Sequence, residues 1–421
     1  MGLLDRKAVM AVTRRRVLLS VLSLTLVVGA TPVNAVPGPP QAVRFATFNA
    51  SLNRGAAGQL ISDLSAPGNA QADAVAEIIQ RTRPDVLLIN EFDFDDQGAD
   101  GSSLAGQLFQ DNYLSVPHGD AVPIEYPYRF VAPSNTGIPS GFDLNNDGII
   151  GGADDAFGFG FFPGQFGMAV FSMFPIDEDA IRTFQHFLWK DMPGALLPDD
   201  PTTAAPADWY SPEELAVFRL SSKSHWDVPI EIGSKVVHFL VSHPTPPVFD
   251  GPEDRNGTRN HDEIRLWADY VAPSRGGYIV DDAGNRGGLE RGALFVIAGD
   301  QNSDPFDGDS IPGSAQLLLE HPLVNTGVTP DSEGAVEQAA AQGGANLTHI
   351  GDPRFDTADF SDVAPGNLRV DYVLPRRNVK IVDAEVFWPT SDDPLFALVG
   401  TFPFPSSDHR LVWVDVRIPS V

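Results

Sequence analysis

The chain has 421 residues, 43% of them hydrophobic, enough to bury a large core in one large α/β domain or two average ones. Its 39 glycines and 36 prolines exclude a helical bundle and require long loops, and the absence of cysteine excludes thiol nucleophiles and thiolate metal sites. Acidic residues outnumber Lys and Arg by 56 to 28, and the net charge of -28 disfavours broad binding to polyphosphate backbones while favouring divalent cations.

The N-terminus opens with a charged stretch ending in Thr13, Arg14, Arg15 and Arg16. An apolar run over residues 17–30 follows, then Val33, Asn34 and Ala35, with small or apolar residues where a signal peptidase reads. Residues 1–35 therefore read as a cleaved secretory signal peptide, which places the mature chain outside the bacterial cytoplasmic membrane. The order Thr-Arg-Arg-x-Val-Leu-Leu also resembles a twin-arginine signal. The apolar run is short for a bilayer span, so no stable membrane span is expected after cleavage. Cleavage removes five basic residues and one acid, taking the net charge down by four to -32.

Residues 43–49 (VRFATFN) alternate apolar side chains and end on the amide of Asn49, which predicts a first strand. Ala70, Ala74, Val75, Ile78 and Ile79 recur at helical spacing, and Pro84 stops that helix. Residues 85–91 (DVLLINE) form an apolar run ending on the carboxylate of Glu91. The loop-rich stretch that follows contains Asp143, Asn145, Asp147, Gly148, Ile150 and Asp154 at positions one, three, five, six, eight and twelve of a calcium loop. Oxygen ligands at alternate positions can wrap one Ca²⁺, Gly148 permits the turn, and Ile150 anchors the loop to the core. Asp154 is shorter than the glutamate usual at position twelve, so an acidic solvated loop stands beside the structural calcium site as a second reading.

Residues 167–172 predict a core strand, residues 193–212 a surface excursion, and residues 235–243 (KVVHFLVSH) an apolar strand ending on His243. A helix is expected over residues 258–271. In residues 255–265, just after the strand ending on His243, Arg259 and His261 are candidates for a loop that grips phosphate. Arg265 reads as part of a solvated helix face with His261 four residues earlier, and for His261 both readings stand. Residues 295–304 (FVIAGDQNSD) read as a buried strand that delivers Asp300 and Asn302 on one side, although Asp and Asn after a strand are also ordinary turn residues. The Gly- and Ala-rich residues 328–357 read as irregular. Strands are expected over residues 368–374, which hold Asp371, and 410–418, preceded by Asp408 and His409. Polar strand ends spread over the whole length imply one domain at residues 42–421, with the calcium-loop-like insertion at 143–154.

Taken in order, the segments TFN (Asn49), INE (Glu91), SHP (His243), GDQN (Asp300, Asn302), DY (Asp371) and SDH (Asp408, His409) resemble the endonuclease/exonuclease/phosphatase superfamily, the deoxyribonuclease I-like fold. Each motif is short, and the six in the family's order make the resemblance. It implies an α/β fold: a four-layer α/β/β/α sandwich of two mixed sheets packed face to face, with helices outside and the active site at one end of the sheets. It also implies Glu91 as the main ligand of a catalytic Mg²⁺ or Mn²⁺, with Asn49 and Asp408 beside it. Asp300 would orient or deprotonate the attacking water, and Asn302 and His243 would hold phosphate oxygens. His409 would act as a general acid/base oriented by Asp371. Two departures are visible: GDQN stands for the more usual GDLN or GDFN, and SHPTPP lacks an acid often found after this histidine.

The residue types suit that chemistry. Phosphoester hydrolysis needs charge neutralised on the phosphoryl oxygens, a positioned water and a stabilised leaving group. Carboxylate and amide oxygens suit Mg²⁺, Mn²⁺ or Ca²⁺, and histidine can give or take a proton near neutral pH. The expectation is a secreted, divalent-metal-dependent phosphoesterase that hydrolyses small-molecule mono- or diesters through an activated water, with no protein partner. An extracellular nuclease, disfavoured by the acidity, and a non-catalytic calcium-binding surface protein are the alternatives.

Overall fold

The computed structural model describes residues 42–99 and 101–419, so the signal peptide expected at residues 1–35 lies outside the described residues. In chain order the strands are β1 (Ala42–Asn49), β2 (Val86–Asn90), β3 (Tyr128–Phe130), β4 (Met168–Ser172), β5 (Arg182–Thr183), β6 (His225–Ile232) and β7 (Lys235–Ser242). They continue with β8 (Leu294–Asp300), β9 (Ala358–Asp359), β10 (Asn367–Leu368), β11 (Asp371–Pro375), β12 (Lys380–Val386) and β13 (Val412–Arg417). One sheet runs β12-β13-β1-β2-β4-β3, a second runs β11-β8-β7-β6-β5, and β9 pairs with β10.

Each large sheet is antiparallel except for one parallel pair, β1 with β2 and β7 with β8. A parallel pair needs a crossover, and both crossovers are the helices anticipated from apolar spacing. Ala70–Thr82 links β1 to β2; its first turn is closed by Asn69, whose side chain accepts from Ala72 N–H, and it ends at Arg83 in the left-handed region, before Pro84. Arg255–Val271 links β7 to β8 and starts three residues earlier than expected.

Side-chain alternation sets the layers. Along β7, Val237, Phe239 and Val241 enter the core between the sheets, where Phe239 meets Phe45 of β1 at 5.5 Å between ring centroids. Leu240 points the other way, with Phe295 and Ile297 of β8, and packs under Ile264 and Trp267 of the helix Arg255–Val271. Helix, sheet, sheet and helix thus form the four-layer sandwich. A Phe239→Ala truncation between the sheets would cost about 3–5 kcal/mol by the usual penalty for a core aromatic.

The stretch expected to be irregular contains a helix, Glu333–Gln342, capped by Ser332. Its glycine is a packing device: a Cβ on Gly334 would lie 2.0 Å from the Trp388 carbonyl oxygen. Small residues let this helix approach the chain closely, and composition alone reads them as a loop.

Candidate active site

The two parallel pairs bring the polar strand ends to one place. Asn49 closes β1 directly beside Asn90 of β2, and Glu91 follows in the left-handed region, φ 59°, which turns the chain sharply off the strand. Asn49 Nδ2 donates to Glu91 Oε1 at 3.0 Å and to Asp300 Oδ2 at 3.1 Å, so one amide ties the ends of both sheets together. Asn53 Nδ2 donates to the other Glu91 oxygen at 2.7 Å. Asp408 lies across from them, with the Ser51 and Ser407 hydroxyls each 3.4 Å from its Oδ1.

Asp300 sits at the centre. Besides Asn49, its Oδ2 faces His243 Nε2 at 3.3 Å and His409 Nε2 at 3.7 Å. Its Oδ1 accepts from the backbone N–H of Asn302 at 2.8 Å. Asn302, at φ 50°, donates its amide to the Pro244 carbonyl at 3.1 Å. The turn reading of this pair and the site reading are therefore both realised: the turn is what aims the amide at the segment after His243. Asp371 is opposite Asp300 in the β8–β11 ladder. Its Oδ2 lies 2.8 Å from His409 Nδ1 and accepts from the Thr357 hydroxyl at 2.8 Å.

These contacts set the protonation states. Burial opposes charge on His409, but Asp371 and Asp300 outweigh it and hold its pKa well above the ordinary value. Burial would raise Asp300, yet the two histidines and the Asn49 amide bring it below the usual carboxylate range. Burial, with Lys223 nearby, lowers His243 to about 4, so its ring is neutral at pH 7. Two histidines around one carboxylate thus hold different charges, a common sign of divided acid and base roles.

Sequence reasoning missed three residues here. Lys223, on the segment leading into β6, is buried with its Nζ 3.4 Å from the Pro244 carbonyl. Burial lowers its pKa, and Glu263, Glu91 and Asp300, two of them carboxylates of the site, oppose that fall. Thr357 fixes Asp371, and Asn260 ties Thr245 to Gln301 through their carbonyls at 2.8 and 2.9 Å. Their sequence surroundings carry no strand-end signal. A helical period over residues 258–271 could have offered Asn260, but not the direction in which its amide points.

Other expected residues lie elsewhere. Arg259 does not grip phosphate: it is buried, donating to the carbonyls of Leu220 at 2.8 Å, Arg219 at 3.0 Å and Phe157. The helix turns it inward, where a guanidinium must satisfy several donors at once. His261 faces Asp262, with Nδ1 3.2 Å from Oδ1, on the side where Arg265 donates to Pro193 and Gly194.

The calcium-loop expectation is corrected in one place, its anchor. Asp143 accepts from the N–H groups of Asp147 and Gly148 at 3.1 and 2.7 Å, and Asn145 bonds Asp147, so the first half folds as a turn. Asp154 is exposed, and Asp155 instead enters the loop, accepting from Leu144 and Gly151 at 2.7 Å each. Ile150 is 68% exposed and anchors nothing; Leu144, 3% exposed, does.

Among the described residues, one group of three acids and histidines has its ligand atoms within 4.8 Å of one another: Asp300, Asp371 and His409. Glu91 and Asp408 have no ion-pair partner among the described residues. Burial raises Glu91, and Asp408 adds to the rise. Carboxylates without an ion-pair partner fit a hard divalent cation with oxygen ligands.

The model of the Endonuclease/Exonuclease/phosphatase family matches residues 46–409, a span holding every strand-end residue described above, and the chain belongs to that family. It is a metal-dependent phosphoric ester hydrolase, and enzymes of this fold use divalent metals such as Mg²⁺. Among solved structures it is similar to an endonuclease/exonuclease/phosphatase from Beutenbergia cavernae, at 17% identity and TM-score 0.46 over 90% of this chain and 72% of that one. It is similar also to a Staphylococcus aureus beta toxin variant with bound magnesium ions, at 14% identity and TM-score 0.42 over 89% and 99%. A third is the sphingomyelinase C of Streptomyces griseocarneus, at 14% identity and TM-score 0.40, again over 89% and 99%. No curated protein matches the chain.

Proposed function

We propose that the protein is an exported phosphoesterase that hydrolyses small-molecule phosphate mono- or diesters by direct attack of an activated water, without a covalent enzyme intermediate. The observation that carries this reading is the placing of one anionic carboxylate, Asp300, between a neutral His243 at 3.3 Å and a cationic His409 at 3.7 Å.

Asp300 accepts a proton from the attacking water or aligns it, as a buried carboxylate fixed by an amide on one oxygen and a backbone N–H on the other. His409, kept charged by Asp371, donates a proton to the leaving oxygen. His243, Asn302 and Lys223 hold the phosphoryl oxygens, with the Lys223 Nζ as a further donor in a site shielded from water. Glu91, with Asn49 and Asp408, would hold Mg²⁺ or Mn²⁺, which when bound supplies Lewis-acid neutralisation of phosphoryl charge.

Two features support a small substrate over a polynucleotide. The chain is strongly acidic, and a nucleic-acid track needs clustered Lys and Arg. Among the most exposed large apolar side chains, Phe249 follows His243 in the same loop, Phe306 follows Asn302, and Phe402 precedes Asp408. Apolar tips suit an organic ester group more than a phosphate backbone.

The test is hydrolysis of bis(p-nitrophenyl) phosphate, p-nitrophenyl phosphate and plasmid DNA in Mg²⁺, Mn²⁺, Ca²⁺ or chelator. Metal-dependent release of p-nitrophenol is expected to exceed plasmid cleavage, and Asp300→Ala should lower it by about 10²–10⁴-fold. Retention of wild-type rate by Asp300→Ala, or cleavage of plasmid alone, would refute the reading. Export is checked by N-terminal sequencing of the protein recovered from culture medium, with a mature end near Val36 expected.

A further inference from the structure

Arg410 follows His409 in the chain and is completely buried. Its Nη1 donates to the carbonyls of Ser407 at 2.8 Å and of His409 at 3.2 Å, the two residues that flank Asp408. Its Nη2 donates to Asp359 Oδ2 at 3.1 Å. The guanidinium carbon lies over Trp388, 4.3 Å from the ring centre, with Phe404 at 5.3 Å. A guanidinium presents its donors in a rigid fork, so one side chain holds a carboxylate and two carbonyls at once.

Asp359 is the fixed end of this contact. Its other oxygen accepts from Gln342 Nε2 at 2.7 Å, and Gln342 accepts from Asn367 Nδ2 at 2.9 Å, which ties the pair to the end of the helix Glu333–Gln342 and to β10. The chain through Asp359 runs antiparallel beside residues 408–410. Asp359 N–H donates to the Asp408 carbonyl at 2.7 Å, Arg410 N–H donates to the Thr357 carbonyl at 2.8 Å, and Ala358 stands opposite His409. Phe360 packs edge to face on the His409 ring at 5.3 Å between centroids. Three successive carbonyls, of Ser407, Asp408 and His409, are therefore engaged, two by the Arg410 side chain and one by Asp359.

We propose that the buried pair of Arg410 and Asp359 is a positioning device: it closes the turn at Asp408 and so sets the directions of the Asp408 and His409 side chains. This rests on the roles proposed for those two residues in metal binding and proton donation. Arg410 acts through its neighbours and is a positioning residue, not a catalytic one. A buried ion pair adds little to stability, because desolvating two charges offsets their attraction, and well-packed apolar groups of similar volume can replace it. What such groups do not replace is the hold on the two carbonyls around Asp408. Stability and rate should therefore separate when the pair is removed as a unit.

The experiment compares full-length wild type with the double variant Asp359→Leu/Arg410→Met, which removes both charges, and with Arg410→Lys, which keeps the charge and loses the fork. Thermal melting, hydrolysis of bis(p-nitrophenyl) phosphate in Mg²⁺, calorimetric Mn²⁺ binding and the ring signals of isotope-labelled histidine are measured on each. The double variant should melt close to wild type, with kcat lower by about 10–100-fold, Mn²⁺ affinity about tenfold weaker and KM within about threefold. Arg410→Lys should lose about tenfold in kcat. In both, the His409 ring signal, identified by its loss in His409→Gln, should shift or broaden. Wild-type kcat and Mn²⁺ affinity in the folded double variant overturn the proposal. If the double variant does not fold, Arg410→Lys decides, and unchanged kcat with an unmoved His409 signal overturns it. A wild type that cleaves no ester and binds no Mn²⁺ refutes the phosphoesterase reading instead, and the His409 signal in Arg410→Lys still decides whether Arg410 positions that ring.

Discussion

Asp371 and His409 form a buried pair, Oδ2 to Nδ1 at 2.8 Å, which leaves the other ring nitrogen of His409 facing Asp300. The pair fixes both the direction of the ring and its charge. Asp371 is the largest influence raising the His409 pKa, against a burial effect that lowers it. Replacing it by an amide therefore removes stabilisation of the imidazolium, and the pKa must fall. A general acid works only while protonated, so activity declines as pH rises through that pKa. In Asp371→Asn the alkaline limb of the pH–rate profile should move to lower pH, and kcat at pH 7 should fall by about 10²–10³-fold. An unmoved alkaline limb would show that Asp371 does not govern His409.

A second prediction concerns Lys223, whose charge is opposed by burial and sustained by Glu263, Glu91 and Asp300. If it holds a phosphoryl oxygen, Lys223→Gln should lower kcat/KM by about 10²-fold, in line with the loss of a charged donor from a preorganised site. Glu263 would remain held by Ser222 and Thr245 N–H groups at 2.6 and 2.7 Å, so the fold should survive, as near-wild-type circular dichroism would confirm. An unchanged kcat/KM would assign Lys223 a purely structural part.

Much of this site is legible from sequence because each residue terminates a strand. Asn49, Glu91, His243 and Asp300 all end apolar runs, and a strand's end is where a polar side chain can leave the core. Asp371 and Asp408 were readable through their place in the same series. Lys223 was not: it stands in a Ser-rich link with no period to give it direction. Arg259 misleads for a related reason, since helical spacing does not tell which side of Arg255–Val271 faces the site. In the 143–154 loop, spacing points to Asp154, while the turn holds the next residue, Asp155, by backbone N–H groups of Leu144 and Gly151. Glu333–Gln342 is obscured because the feature that lets it pack, Gly334, is also what makes its sequence resemble a loop.

Asp356 supplies a pH prediction for stability. Its pKa in the folded chain is raised to about 9, far above that of an unfolded aspartate near 3.9. The folded state therefore keeps a proton that the unfolded chain releases. This contribution is full below about pH 4, declines as pH rises, and is lost on passing about 9. In EGTA, the melting temperature of wild type should fall between pH 6 and 9 more steeply than that of Asp356→Asn. Parallel curves for the two proteins would contradict it.

Arg259 tests the difference between a binding and a packing arginine. Its guanidinium serves the carbonyls of Leu220, Arg219 and Phe157 and lies 4.7 Å from the ring centre of Phe218. Those carbonyls belong to, or pack against, the segment that carries Lys223 into the site. Arg259→Ala leaves several buried acceptors without donors, at about 1–3 kcal/mol for each that stays unpaired, and so should lower the melting temperature by several degrees. A residue that gripped substrate phosphate would mainly raise KM and respond to salt. The expectation here is a fall in stability, with KM in the surviving folded fraction within about threefold of wild type, since the lost contacts are made equally with and without substrate. A tenfold rise in KM at unchanged melting temperature would return Arg259 to the substrate site.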